Sequence, residues 1–223
     1  MDLGYIYDMI QFISNKHQSG YISPTEFQNA ANLAQKQYQD ELIDVLIGWD
    51  ASNRKRKYPI GNTQQVIKKL SPFIVRLQNE AVSPNGHLTK PADLQNLLSI
   101  RTANDTNRIW RTEEDRVFSH VSSVIDSPSV APIFTEYDTY YQIYPVGIGA
   151  VNMSYIKIAP EVVYATTLDA NGRPIYNQGA STQFLWEDLE MTNIIIRILF
   201  MFGISIQANQ LIQYYGSVKN DGQ

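Results

Sequence analysis

The sequence predicts an α+β protein: a mainly helical body, built from an N-terminal helical hairpin and C-terminal helices, with an inserted antiparallel β-hairpin region. Three observations lead to this class. Apolar residues recur at three- and four-residue steps near both ends of the chain. The stretch 134–176 instead alternates in polarity and is interrupted by Pro, Gly and Asn turn signals. The length of 223 residues, with 43% hydrophobic and 18% charged residues, suffices for one sizeable core or two small ones. The expected organisation is one structural unit, 1–223, divided into a helical hairpin at 1–48, a mixed loop and helix region at 49–133, the β-hairpin insertion at 134–180 and closing helices at 181–223.

The elements follow in order. Leu3, Ile6, Met9, Ile10 and Ile13 fall on one face of a helix over Leu3–Ser14. A second helix over Ser23–Ile47 carries the stripe Phe27, Ala31, Ala34, Tyr38, Leu42, Val45 and Leu46, and Gly48 is a suitable stop. The basic stretch NRKRKYPIGN, 53–62, reads as a connection. Leu70–Leu77 and Ala81–Thr89 read as short extended pieces around the turn Ser83-Pro84-Asn85-Gly86. Pro91–Leu98 reads as one or two helical turns, and Thr112–Ile125 as a helix with Thr112 at its N-cap and acidic residues in its first turn. Tyr140–Tyr144 and Val151–Ile158 flank Pro145-Val146-Gly147-Ile148-Gly149 and suggest a hairpin, with a slip of the alternation at Ile156-Lys157-Ile158 that suggests a bulge. Val162–Leu168 and Pro174–Tyr176 flank the strong turn signal Asp169-Ala170-Asn171-Gly172. Helices over Glu187–Phe202, closed by Gly203, and Ala208–Val218 complete the chain.

Composition narrows the chemistry. A net charge of −4 argues against a protein that grips nucleic acid with its whole surface. With no cysteine there are no disulfides, thiolate metal sites or cysteine nucleophile. No basic stretch followed by an apolar core marks a signal peptide. The apolar run IIIRILFMFGISI, Ile194–Ile206, is too short for a membrane span and contains Arg197, so it reads as a buried helix of a soluble protein.

The candidate sites are weak in chemistry. NKHQSGYISPTEF, Asn15–Phe27, has the Gly and Glu spacing of an EF-hand loop, but Glu26 is its sole carboxylate at a ligand position. The same residues form a capping box, Ser23-Pro24-Thr25-Glu26, with Pro at the first helical position and Gly20 as the turn between two helices. Gly147-Ile148-Gly149 lacks the third glycine of a dinucleotide loop, because Asn152 stands there. His17, His87 and His120 lack zinc-ligand spacing. No cofactor, metal or catalytic constellation is expected, and Glu187, Asp188 and Glu190 read as complements to a helix dipole. Two surfaces read as contact sites. One is the basic run Arg54, Lys55, Arg56 and Lys57 with Tyr58; the other is the Tyr-rich β region, above all Tyr140, Tyr141 and Tyr144.

Three segments taken together resemble the neck proteins of tailed bacteriophages, with the nearest likeness to those of crAss-like phages of gut Bacteroidetes. They are GYISPTEFQNAANLAQKQYQDEL, YYQIYPVGIGAVNMSYIKIAPEVVYATTLDANGRPIYN and STQFLWEDLEMTNIIIRILFMFGISIQANQLIQYYG, and they keep the family's order along the chain. The region from about 49 to 110 matches loosely. The resemblance implies a non-enzymatic virion structural protein, a head-to-tail connector assembled in the bacterial host cytoplasm. Such a subunit forms a ring, usually twelve-fold, from copies of itself. It binds the portal protein on one side and a neck or tail ring protein on the other, and genomic DNA passes through the lumen without specific binding. A calcium-binding module and a phage-associated hydrolase are the alternatives from other functional classes.

Overall fold

The structure is a computed structural model that describes residues 1–16, 20–53, 61–104, 107–122, 131–170 and 172–204. In chain order the helices and strands begin with α1 (Leu3–Lys16), α2 (Pro24–Asn53) and α3 (Gly61–Leu70). There follow β1 (Ile74–Ala81), β2 (His87–Thr89), β3 (Leu94–Thr102), β4 (Arg108–Arg111), α4 (Glu114–Val121), β5 (Ile133–Glu136), β6 (Tyr140–Tyr144) and β7 (Ala150–Lys157). The hairpin strands β8 (Thr166–Leu168) and β9 (Pro174–Tyr176) precede the last described helix, α5 (Asp188–Met201). The chain divides into two compact units, one made of Phe73–Ile158 and the other of the segments on either side of it.

The expectation of a mainly helical body is overturned. The β part is a seven-stranded sheet, nearly closed like a barrel, and the described residues are 42% helical and 28% strand. Its order is β1-β7-β3-β4-β5-β6-β2, antiparallel throughout except for the parallel pair β4–β5. The strands at the two ends of this order, β1 and β2, are consecutive in the chain. The turn between them ties both sides together: the Val82 amide donates to the Gly149 carbonyl at 3.0 Å and the Ile143 amide to the Gly86 carbonyl at 2.8 Å. Inward residues Val82, Leu88, Ile100, Ile109, Phe134, Tyr141, Ile143, Val151, Met153 and Tyr155 fill the interior. A barrel of this kind removes the exposed sheet edges that a lone hairpin would carry.

The missed strands have identifiable causes. Pro91–Leu98 is not helical; most of it belongs to β3, which lies between β7 and β4. Leu94, Leu97 and Ile100 are spaced at three residues, which imitates a helix. Register shifts between Leu94 and Asn96 and between Leu97 and Ser99 instead turn all three toward the core. These shifts lie in β3, and another lies in β1 between Leu77 and Glu80, opposite β7. The strands flanking Pro145–Gly149 exist but do not pair as a hairpin: β6 lies between β5 and β2, and β7 between β1 and β3. The 162–176 region does form the expected hairpin, β8–β9, with the Asp169 amide donating to Arg173 at 2.9 Å and Gly172 at φ +76°.

In the other unit α1 buries Leu3, Ile6, Met9, Ile10 and Ile13, as its periodicity predicts. α2 buries Phe27, Ala31, Ala34, Tyr38 and Leu42, but Val45 is exposed and the helix runs through Gly48 to Asn53. A single interior glycine costs only about 1 kcal/mol, which a long packed helix absorbs. α3 occupies the end of a region read as connection and mixed loop, and buries Val66 and Leu70. α4 starts after Glu113, not Thr112, because the Thr112 amide continues the β4–β5 ladder to the Phe134 carbonyl at 2.9 Å. Ala208–Val218 lies outside the described residues.

One packing device has no counterpart in the periodicity. Side chains at Gln28, Asn32, Gln35 and Gln39, one face of α2, hydrogen-bond the backbone of the extended segment 159–164. Asn32 both donates to the Val162 carbonyl (3.0 Å) and accepts from its amide (2.7 Å). The amides replace the sheet ladder that Pro160 would interrupt.

The capping box is present. The Ser23 amide donates to Glu26 Oε2 at 2.8 Å, and the Glu26 amide donates to Ser23 Oγ at 3.3 Å. The Ser23 hydroxyl also donates to Glu26 Oε2 at 2.7 Å, and this bond, with that from the Ser23 amide, holds the Glu26 carboxyl below its ordinary range. Gly20 before it has φ +87°. Ser23→Ala is expected to destabilise the protein by about 1 kcal/mol. Urea unfolding checks this, and an unchanged midpoint would show that the cap is dispensable.

Candidate functional site

Among the described residues, α5 carries exposed apolar side chains beside an apolar groove. Its sequence, DLEMTNIIIRILFM, is apolar on more than one side. One face, with Met191, Ile194, Ile195, Ile198 and Leu199, is buried. The helix is therefore not buried all round, as its run of apolar residues suggests. Leu189, Ile196 and Phe200 recur at seven and four residues on the other side, and Leu189 is 79% and Phe200 71% exposed. Ile196, Phe200 and Met201 line a groove of about 700 Å³ together with Leu33 and Gln37 of α2, Asn193 and Arg197. Leu33 is itself 50% exposed.

Beneath this groove a polar cluster fixes α5 against α2 and α3. Glu190 is buried in the helical unit and accepts a hydrogen bond from the Tyr38 hydroxyl. Lys69 Nζ lies 3.1 Å from Glu190 Oε2, and Asn193 Nδ2 donates to the same oxygen at 3.3 Å. Burial alone would raise the Glu190 pKa, but the bonds from Tyr38, Lys69 and Asn193 and the charge of Lys69 outweigh it and hold the carboxyl below its usual range. Burial and the neighbouring carboxylate push the Tyr38 hydroxyl up. Arg197 pairs with Glu41 and lies over the Tyr38 ring, 5.3 Å from its centroid. The C-terminus of α5 is closed by Gly203 at φ +76°, with the Ile204 amide donating to Leu199 at 2.9 Å and the Gly203 amide to Phe200 at 3.0 Å. The exposed stripe thus stands on a rigidly held helix.

The residues expected from sequence to make contacts fare differently. Arg54, Lys55, Arg56, Lys57 and Tyr58 lie outside the described residues. Tyr140 is stacked between His87, at 4.3 Å, and Tyr137, at 5.0 Å. Tyr144 is half-buried at the end of β6. Tyr141 is fully buried, edge-on to Phe134, with Lys90 Nζ 4.9 Å from its ring centroid; it belongs to the barrel core and not to a contact surface. Burial raises its hydroxyl pKa to about 12. Within the Tyr-rich β region Tyr155 is also buried, whereas Tyr137, Tyr140, Tyr144, Tyr164 and Tyr176 are half-buried.

Glu190 is more than a dipole complement, and its role is legible only faintly: it occupies a position of the buried stripe, one turn before Ile194. Its partners Tyr38 and Lys69 are remote in sequence. Glu187 occupies the N-cap of α5 without a side-chain cap bond. His120 Nε2 lies 3.2 Å from the Ala131 carbonyl, and His87 is engaged with Tyr140. Among the described residues, no three His, Cys, Asp or Glu side chains are grouped to hold a metal ion, and no helix is long and apolar enough to cross a membrane. No protein-family model matches the chain, and no curated protein is significantly similar to it.

Proposed function

We propose that this chain is a ring-forming head-to-tail connector of a tailed-phage virion, placed below the portal and continuing the genome channel. The observation that carries the reading is the apolar stripe of exposed Leu189 and Phe200 and half-buried Ile196, with exposed Leu33 beside it. A contiguous apolar surface on a firmly held helix suits a subunit contact, because burying it removes apolar area from water. The ordered resemblance of three segments to phage neck proteins supplies the particular assembly. Neighbouring copies bury unlike faces, and a heterologous contact whose rotation closes produces a ring. The chemistry is assembly, without turnover.

The test is particle mass and negative-stain imaging of the purified protein, alone and with its portal. Rings are the expected result. Phe200→Glu is expected to lower the mass to that of a monomer while leaving the thermal unfolding midpoint of the monomer near that of the wild type, because the side chain is exposed. A wild-type protein that stays monomeric and has no affinity for the portal overturns the reading.

A further inference from the structure

The outer face of the barrel carries a second surface that the connector reading does not use. Arg101 on β3 and Arg108 on β4 are cross-strand partners. Like charges directly opposite each other repel and destabilise a sheet. Neither has an ion pair or a side-chain hydrogen bond among the described residues, and both are exposed. The Arg108 guanidinium lies over the indole of Trp110, 4.6 Å from its centroid, and Trp110 is 54% exposed. The register extends the face across β7. Arg101 is opposite Asn152, and Arg76 of β1 is opposite Ser154, two residues further along the same side of β7. Core residues Ile100, Ile109 and Met153 occupy the alternate, inward positions. Arg111, by contrast, is engaged with Glu136 at 3.0 Å.

We propose that Arg101, Arg108 and Trp110, flanked by Arg76, form a sequence-tolerant polynucleotide-binding face. The guanidinium pair contacts backbone phosphates, whose charge relieves the cross-strand repulsion. Trp110 offers a flat surface on which an unpaired base stacks, its other side held by Arg108. An acidic protein surface would also engage this face and is the alternative outcome of the test; two adjacent guanidiniums beside a stacked indole offer phosphate and base contacts together, which favours the nucleic acid. The negative net charge of the chain does not oppose this, because phosphate contact depends on local charge within about a Debye length. The proposal stands independently of the ring reading, since DNA affinity and particle mass are separate measurements.

The experiment is fluorescence anisotropy of the full chain with labelled oligothymidine and with its duplex, across a salt titration. The single strand is expected to bind more tightly than the duplex. Arg101→Gln with Arg108→Gln should weaken single-strand binding about a hundred-fold at low salt and reduce the slope of log K against log salt by about 1.4. The Gln pair removes the repulsion between strands, so the barrel stays folded, which thermal unfolding verifies. Trp110→Ala should weaken the single strand by roughly ten- to a hundred-fold, with the salt slope and the duplex affinity unchanged. Arg173→Glu, in the β8–β9 turn, should change neither. The proposal fails if the wild type does not bind oligothymidine at low salt, or if the Gln pair binds it as the wild type does. It fails equally if Arg173→Glu has the same effect as the Gln pair. A Gln pair that alters particle mass with DNA affinity intact would assign the face to a protein partner and overturn the proposal.

Discussion

Gly86→Ala is expected to destabilise the protein by at least about 3 kcal/mol. Gly86 has φ +82°, a conformation that costs an L side chain about 1–2 kcal/mol. A Cβ there would also stand 2.5 Å from the Ile143 carbonyl oxygen and 2.7 Å from Gln142 Nε2. The first of these is backbone and cannot swing aside. The clash falls on the turn that closes the barrel, where the Ile143 amide donates to Gly86 and Gln142 Nε2 donates to the Asn85 carbonyl at 2.7 Å. Losing such hydrogen bonds adds about 1 kcal/mol each. Gly172→Ala is the control. Gly172 has φ +76° but nothing within 4 Å of the added carbon, so its cost should be that of the backbone conformation alone. Urea unfolding of both variants separates the two contributions. Equal losses would mean that the approach of β6 to the turn is unimportant to barrel closure.

Glu190→Gln is expected to cost about 2 kcal/mol near neutral pH. Removing one charge of a buried pair leaves the other without its partner, which costs about 3–5 kcal/mol in a dry site. The Lys69 side chain is 35% exposed, so solvent screens part of this loss. Lys69→Met should cost more than the double variant, because it leaves Glu190 charged and buried among Tyr38, Asn193 and apolar side chains. The sign of the pH effect follows from the lowered carboxyl pKa. The ionised Glu190 contributes its full stability above the ordinary value of 4.5, and that contribution is lost as pH falls through the lower value of the folded state. The difference between wild type and Glu190→Gln should therefore shrink in acid. A constant difference from neutral pH down through the acid range would exclude Glu190 as the titrating group.

The elements legible in the sequence are those whose signals are local. A capping box satisfies donors three residues away, a Gly closes a helix within one turn, and an apolar face repeats every three or four residues. Ser23-Pro24-Thr25-Glu26, Gly203, the α1 stripe and the Asp169–Gly172 turn are accordingly found where the residues place them. The nature of the α5 surface was half legible. A helix apolar on more than one side gains by covering more than one face, but whether the second face meets its own chain is not written in periodicity.

The sequence by itself determined the helix starts and stops at these positions and the hairpin at β8–β9. Only the tertiary structure decided the rest. Bulges in β3 turned a three-residue spacing into an inward strand face, so a segment with helical signals became a central strand. Strand pairing joined β6 to β5 and β2, and β7 to β1 and β3, because each strand gained two partners where a hairpin would have left edges unpaired. The same non-local packing brought Glu190 to Lys69 and Tyr38, set Arg101 opposite Arg108, and laid the amides of α2 along the backbone of 159–164. In each case the deciding free energy lies between residues distant in sequence, in hydrogen bonds and burial that no local pattern encodes.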